Sequence, residues 1–543
     1  MKQNLRERVL AAIGSQNYRA LKPKALARKL KISDSEYPEF RALLKTMISK
    51  GELETAAGRA IGPARAHDEI LGVYRGIRAG GGFVRPKPGQ GLPTGDVFVR
   101  AQNTHDAASG DVVLVKITRK STRGDRGPEG KILEVVERAS NAFVGTYHVV
   151  EGEGLVRVDG GIFHERIYVG DPGAKGASEG DKVVFEMLRF PSPDLEGEGV
   201  ITEVLGPKGS PGVDLLSVVR QFNLPDAFSP EALAEARQQA KLHEDEMVPE
   251  DRLDLTGETI VTIDPTDARD FDDAISLDRD ENGHWRLGVH IADVSAFVRP
   301  NGPLDHEARR RGTSVYLPGR VIPMLPELIS NGLASLQEKH LRYTKSVFIQ
   351  FDPEGRITGI DFANSAIRVT KRLTYEVVME LFEDPEKFHG RFSAKVRALL
   401  GRMRELARIL RERRRRRGFM ELSMPSPELE YDDKGRITGA HYSVDDESHQ
   451  LIEEFMVTAN EAVASKLKDE GILFLRRIHE IPDPLKLKAF AQFAKSLGIT
   501  IEDYRSRFEL QRVLKEVAES PRRHAVNYAL LRSLREAQYS PEG

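Results

Sequence analysis

Gly110-Asp-Val-Val-Leu-Val-Lys recurs as Gly180-Asp-Lys-Val-Val-Phe-Glu, and Gly130-Lys-Ile-Leu-Glu-Val recurs as Gly199-Val-Ile-Thr-Glu-Val, each about seventy residues further along the chain. Two matching pairs at one spacing define a duplicated unit. Short β-branched runs punctuated by glycine make that unit a small β-domain, present as two copies at 70–139 and 140–206. With 543 residues, the chain is too long for one core, so other domains must flank the pair.

Residues 1–66 carry apolar positions at helical spacing, among them Val9 and Ile13, Leu26 and Leu30, then Phe40, Leu44 and Met47. Three such helices followed by a polar hairpin resemble a winged helix-turn-helix. Although the whole chain has a formal charge of −2, residues 1–65 hold 14 Lys and Arg against 6 Asp and Glu. That excess suits either contact with nucleic acid or a basic module that docks a protein partner.

The first β-copy opens Gly72-Val-Tyr-Arg-Gly-Ile-Arg-Ala-Gly-Gly-Gly-Phe-Val84 and reaches Asp96-Val-Phe-Val-Arg100, which resembles a cold-shock domain of the OB-fold type. The resemblance makes Phe83, Phe98 and Arg100 a stacking and phosphate-contacting face for single-stranded RNA, with core packing the competing reading of both phenylalanines. Related domains often carry a further aromatic where Gly81 stands. Arg119-Lys-Ser-Thr-Arg-Gly-Asp-Arg126 reads as a basic loop, and 207–258 as a connector containing an amphipathic helix near 229–245.

Residues 259–543 read as one α+β domain, with strands at 260–263, 274–277, 285–291 and 346–351 and helices at 371–383, 393–416, 445–469 and 484–497. Asp264, Asp270, Asp272 and Asp273 fall within ten residues between its first two strands. Carboxylates so crowded repel each other unless a cation or solvent relieves them, and apolar flanks favour the cation. Oxygen-only ligation suits Mg²⁺, and Mg²⁺ with phosphodiesters suggests metal-assisted hydrolysis. A twelve-residue calcium loop counted from Asp264 ends on Ile275, not on an acid, and one counted from Asp278 ends on Val289, so residues 278–283 read as a turn between strands. A solvated acidic loop remains the plain alternative.

Thr262-Ile-Asp-Pro-Thr-Asp-Ala-Arg-Asp-Phe-Asp-Asp-Ala-Ile-Ser276, Val289-His-Ile-Ala-Asp-Val-Ser295, Arg311-Gly-Thr-Ser-Val-Tyr-Leu-Pro318, Ile322-Pro-Met-Leu-Pro-Glu327 and His449-Gln-Leu-Ile-Glu-Glu-Phe-Met-Val-Thr-Ala-Asn460 occur in the order found in the ribonuclease II/R family. With the winged helix and two cold-shock copies, the layout is most similar to the ribonuclease R branch. The resemblance implies a processive, Mg²⁺-dependent 3′-to-5′ exoribonuclease, a hydrolase of the exoribonuclease II type, that degrades single-stranded RNA to nucleoside 5′-monophosphates in RNA decay. It places Asp264, Asp272 and Asp273 on the metal, Asp270 on metal or water, Tyr316 against the 3′-terminal nucleotide, and Glu454 with its neighbour Glu453 near the RNA sugar. His290 reads as structural rather than as a ligand. The arginines at 413–417 fit either an RNA channel or a solvated helix end.

The chain has no cysteine, which excludes disulfides, thiolate nucleophiles and cysteine-ligated metals. A polar amino terminus and the lack of any long apolar run imply a cytoplasmic protein without membrane contact, expected to be a monomer. The family pattern continues past the Ala537-Gln-Tyr-Ser540 segment through an arginine-bearing motif and an S1 domain, so the expectation is a catalytic domain incomplete at Gly543. The alternative function is a noncatalytic RNA-binding or regulatory protein on a truncated nuclease scaffold.

Overall fold

The computed structural model describes residues 8–541 apart from 10–11, 14–19, 31, 34–36, 50–52, 57–59, 64–68, 78–79, 88–94, 120–126, 164, 171, 193–194, 245–246, 423, 425–426, 433–435 and 443–445. Most of the expected first helix and the basic loop therefore lie outside the described residues. The chain divides into two units, residues 1–224 and 225–543.

In the first unit the helices Pro23–Lys29 and Tyr37–Ser49 precede the antiparallel hairpin of Leu53–Ala56 and Ala60–Pro63. The apolar positions picked out by helical spacing, Val9, Ile13, Leu26, Phe40, Leu44 and Met47, share one core with Leu53 and Ile61 of the hairpin.

The duplicated segments form two closed five-stranded barrels. One contains the strands Glu69–Gly76, Gly82–Pro86, Val97–Val99, Val112–Arg119 and Glu129–Glu137; the other contains Ala142–Val150, Glu153–Val158, Ile167–Tyr168, Asp181–Arg189 and Glu198–Pro207. The repeated Gly-Asp has a structural reason in both copies. Asp111 Oδ2 accepts from the Ala108 N–H at 2.9 Å, and Asp181 Oδ2 from the Ser178 N–H at 2.9 Å, closing the turn that starts the long strand. Gly72 and Gly145 are equivalent too: a Cβ at either would stand 2.4 Å from the Cγ1 of Val84 or Val156, so only glycine lets the strands curl past each other. Within the connector, the helix Val213–Gln221 packs on the second barrel.

In the second unit a seven-stranded mixed sheet runs in the order Leu253–Asp254, Ile357–Arg368, Leu341–Phe351, Trp285–Ala292, Asp273–Arg279, Val261–Asp264, Lys371–Thr374. The helices Tyr375–Glu383, Ala394–Arg416 and Glu447–Asp469 cover one face, burying Ile263, Ile275, Leu277, Trp285, Leu287 and Val289 against Leu399, Met403 and Phe455. The helix Pro230–Leu242 packs on Pro303–Arg311, and residues 484–533 form a separate helical cluster with its own core.

The expected turn at 278–283 joins two sheet strands, with Gly283 at φ +84°. One element differs from expectation. Residues 371–374 form an edge strand rather than the first turn of a helix, because they pair in parallel with Val261–Asp264; Thr374 then caps the helix by accepting from the Val377 N–H. Among the described residues, no helix is long and apolar enough to cross a membrane.

Candidate active site

The loop 265–272 leaves the strand Val261–Asp264 and returns as Asp273–Arg279, so strand geometry places Asp264 at the end of one strand and Asp273 at the start of the next. Buried contacts hold the loop between them. The Phe271 side chain enters an apolar cluster with Ile260, Ala274 and Phe348, its N–H donates to Ser335 Oγ at 3.1 Å, and Ser335 Oγ–H donates to the Arg269 carbonyl at 2.8 Å. The Ala292 N–H donates to the Asp272 carbonyl at 2.9 Å.

This backbone keeps the carboxylates where repulsion is strong. Asp264 is buried, and its Oδ2 has no hydrogen-bond partner. Burial and the neighbouring Asp273 carboxylate push its pKa up to about 7, while burial and Asp272 push that of Asp273 up to about 6. Asp272 lies more open and moves in the same direction, from the protein around it and from the Asp270 charge. An orphaned buried carboxylate oxygen among acids of raised affinity for protons fits a cation site, and an all-oxygen donor set fits a hard cation. Among the described residues no three His, Cys, Asp or Glu side chains are placed to hold a metal ion together. Mg²⁺ accepts that condition, because it commonly takes one or two carboxylates and completes its shell with water and substrate phosphate.

Tyr316 stands beside this loop. It sits in the short hairpin of Val315–Leu317 and Arg320–Ile322, is 67% exposed, and donates its hydroxyl to Asp270 Oδ2 at 3.1 Å. An exposed ring anchored through its oxygen leaves its face free for a planar ligand. Tyr375, which sequence reasoning did not single out, also faces the acids. Burial, then the charges of Asp273 and Asp264, push its hydroxyl up to about 12, so it remains a hydrogen-bond donor. Its ring stacks on His449 at 3.9 Å and 15°, and His449 Nδ1 lies 2.9 Å from Asp446 Oδ1. Thr266 Oγ1 donates to Glu376 Oε2 at 3.2 Å, tying the loop to the same helix.

Other expected residues fall elsewhere. Glu454 is only 1% exposed, and its Oε1 accepts from Arg414 at 2.7 Å and Arg411 at 3.3 Å; in this state it is a buried ion-pair partner rather than a surface group. Its neighbour Glu453 also pairs with Arg414. The arginine run is largely paired locally: Arg414 to Glu453 and Glu454, Arg415 to Glu421, Arg416 to Glu412 and Arg417 to Glu461. His290 is fully buried between Ser346 and Ser276, at 2.7 and 3.0 Å, and burial lowers it to about 3, which keeps it neutral and structural as expected.

On the first barrel, Phe83 and Phe98 are cross-strand partners with ring centroids 5.3 Å apart. Phe83 is 40% exposed, which favours an outward platform over core packing. Arg100 is exposed and bonded to Glu129 at 3.2 Å. Gly81 has φ +74°, and a Cβ there would stand 2.4 Å from the Val99 carbonyl, so this barrel has no room for the further aromatic.

Comparison with known proteins gives a consistent picture. The RNB domain model matches residues 252–543, and the cold shock domain model matches residues 83–150 and 156–229. Ribonuclease R of Thermotoga maritima is 37% identical over 456 residues, covering 82% of this chain and 62% of that protein. Ribonuclease R 1 of Lactococcus lactis is 31% identical, covering 99% of this chain and 67% of its own length. The chain thus spans roughly two thirds of the length of these relatives. A structure of Mycoplasma genitalium RNase R in complex with ribose-methylated single-stranded RNA superposes with a TM-score of 0.78 at 26% identity, covering 87% of this chain and 74% of the other.

Proposed function

The chain belongs to the RNB-domain family of ribonuclease R relatives, and from that premise we propose that it is an exoribonuclease that shortens single-stranded RNA from the 3′ end, using Mg²⁺ and releasing nucleoside 5′-monophosphates. The observation that carries the reading is the carboxylate cluster around the buried Asp264, whose Oδ2 is unpartnered and whose proton affinity is raised to about 7 beside Asp273.

Asp264, Asp272 and Asp273 would hold the cation, one or two of them directly and the rest through water, and Asp270 would orient it or the attacking water. When bound, Mg²⁺ supplies positive charge beside the scissile phosphate and activates water. Tyr316, fixed through its hydroxyl on Asp270, offers its ring to the terminal base, so the last nucleotide is registered against the acids. Tyr375 retains its proton and can donate to an RNA oxygen next to the same carboxylates. Phe83 and Phe98 offer a stacking face for bases of single-stranded RNA, an arrangement that tolerates any base and suits a sequence-independent enzyme.

The test is to incubate the chain with 5′-labelled single-stranded RNA in Mg²⁺ or in EDTA. Shortening from the 3′ end is expected only with the metal. Asp272→Asn should lower the rate by about a hundredfold or more, the scale of losing several kcal/mol of charge stabilisation. RNA that is bound but never shortened by the unaltered chain would favour the noncatalytic RNA-binding alternative.

A further inference from the structure

Arg372 lies on the edge strand Lys371–Thr374, in register with Thr262 of the strand that ends at Asp264. Its backbone N–H donates to Glu338 Oε2 at 3.1 Å, which fixes the residue on the outer side of the sheet. The side chain turns the other way, into the aspartate loop. Nη2 donates to the carbonyls of Pro265 and Thr266, both at 3.0 Å, and the guanidinium carbon lies 5.0 Å from the centre of the Phe271 ring. Pro265 and Thr266 open the loop; Phe271 closes it, immediately before Asp272. One planar group therefore touches both ends of the segment that displays the acids. Its Nε is buried without a partner, which distinguishes it from an arginine lying loosely on the surface.

We propose that Arg372 is a positioning residue of the metal loop: by gripping Pro265, Thr266 and Phe271 together it sets where the carboxylates of Asp264, Asp272 and Asp273 stand, and so governs divalent-cation affinity without touching cation or RNA. The inference rests on the reading of the aspartates as a Mg²⁺ site. Two physical effects of the residue have opposite signs. As a positive charge near Asp264 it repels a cation, so Coulomb's law alone has metal binding tighten when it is removed. As a clamp it pre-organises the donors, so removal loosens binding. Lysine keeps the charge but cannot donate to two carbonyls while lying flat on a ring.

Mn²⁺ is the probe, titrated into the full chain without RNA at pH 8 and followed by the paramagnetic signal of the free ion, for the unaltered chain, Arg372→Met, Arg372→Lys and Asp272→Asn. The expected result is a site lost in Asp272→Asn and weakened about tenfold in both Arg372 variants. RNA affinity in EDTA should stay within about twofold, because the clamp does not contact the strand. Melting curves identify any variant that fails to fold, and Arg372→Lys carries the test if Arg372→Met does. Binding as tight as or tighter than the unaltered chain in Arg372→Met, or full recovery in Arg372→Lys, would overturn the clamp. A matching loss of RNA affinity in EDTA would make Arg372 an RNA contact instead. An unaltered chain with no Asp272-dependent Mn²⁺ site would remove the metal reading itself and the role of Arg372 with it.

Discussion

Asp264 and Asp273 hold protons to about 7 and about 6, against about 3.9 for an aspartate in an unfolded chain. Between those values the folded state binds more protons than the unfolded one, so without metal the stability contributed by these groups is greatest below about pH 4 and falls as pH rises towards 7. The buried, unpartnered oxygen of Asp264 is the main seat of the effect. Asp264→Asn, which imitates the protonated acid, should therefore stabilise the metal-free chain at pH 8, on the order of 1–3 kcal/mol, and much less at pH 5. Urea denaturation in EDTA, followed by the fluorescence of the single tryptophan, Trp285, reads this directly, since Trp285 is buried in the same sheet. Equal destabilisation of the variant at both pH values would contradict it. The acids were legible in the sequence because the chemistry is contiguous, all within one loop. Arg372 and Tyr375 were not, because parallel strand pairing brings them to the loop from about a hundred residues away, and no local spacing records such a contact.

Among the elements, legibility followed periodicity. The helices Ala394–Arg416, Glu447–Asp469 and Pro484–Ser496 lie within about two residues of their expected limits, since each has a long apolar stripe and a side-chain N-cap, Ser393, Asp446 or Asp483. Lys371–Thr374 was misread as helix because four residues leading into a helical stripe cannot show period two; only the partner strand makes them β. The arginines at 413–417 looked like a basic surface, whereas much of their charge is met by glutamates on the next helix and in the following segment. The first barrel permits a sharper expectation. Phe83→Ala and Phe98→Ala should each weaken single-stranded RNA binding in EDTA by about 1–3 kcal/mol, measured by fluorescence anisotropy, without regard to base sequence. Gly81→Phe, designed to add the aromatic common in related domains, should instead destabilise the barrel, because the backbone there has φ +74° and the new Cβ would meet the Val99 carbonyl. Tighter RNA binding by Gly81→Phe with unchanged melting would refute that account.

At the scale of the whole molecule, the proposed base-stacking face of the first barrel and the carboxylate cluster lie in different units. Residues 1–224 contain the helical segment and both barrels around three separate cores, while residues 225–543 contain the sheet, the acids and Trp285. A ligand stabilises only what it binds, by RT ln(1 + [L]/Kd), or about 2.7 kcal/mol at a hundredfold excess over Kd. Mg²⁺ held by Asp264, Asp272 and Asp273 should therefore raise the melting transition reported by Trp285 by a few degrees and leave unchanged the part of the far-ultraviolet circular dichroism loss that belongs to the barrels. The rise should be larger at pH 8 than at pH 5, because at pH 5 the cation must displace the protons that Asp264 and Asp273 retain to about 7 and about 6. Asp272→Asn should abolish the shift at both pH values. Single-stranded oligonucleotide in EDTA provides the reciprocal measurement: if the barrels bind bases through Phe83 and Phe98, it should stabilise the β-rich transition, and that gain should disappear in Phe83→Ala while the Mg²⁺ response of Trp285 persists. A Mg²⁺ shift that moves both signals equally, or survives Asp272→Asn, would mean that the cation acts generally on the chain rather than at the loop.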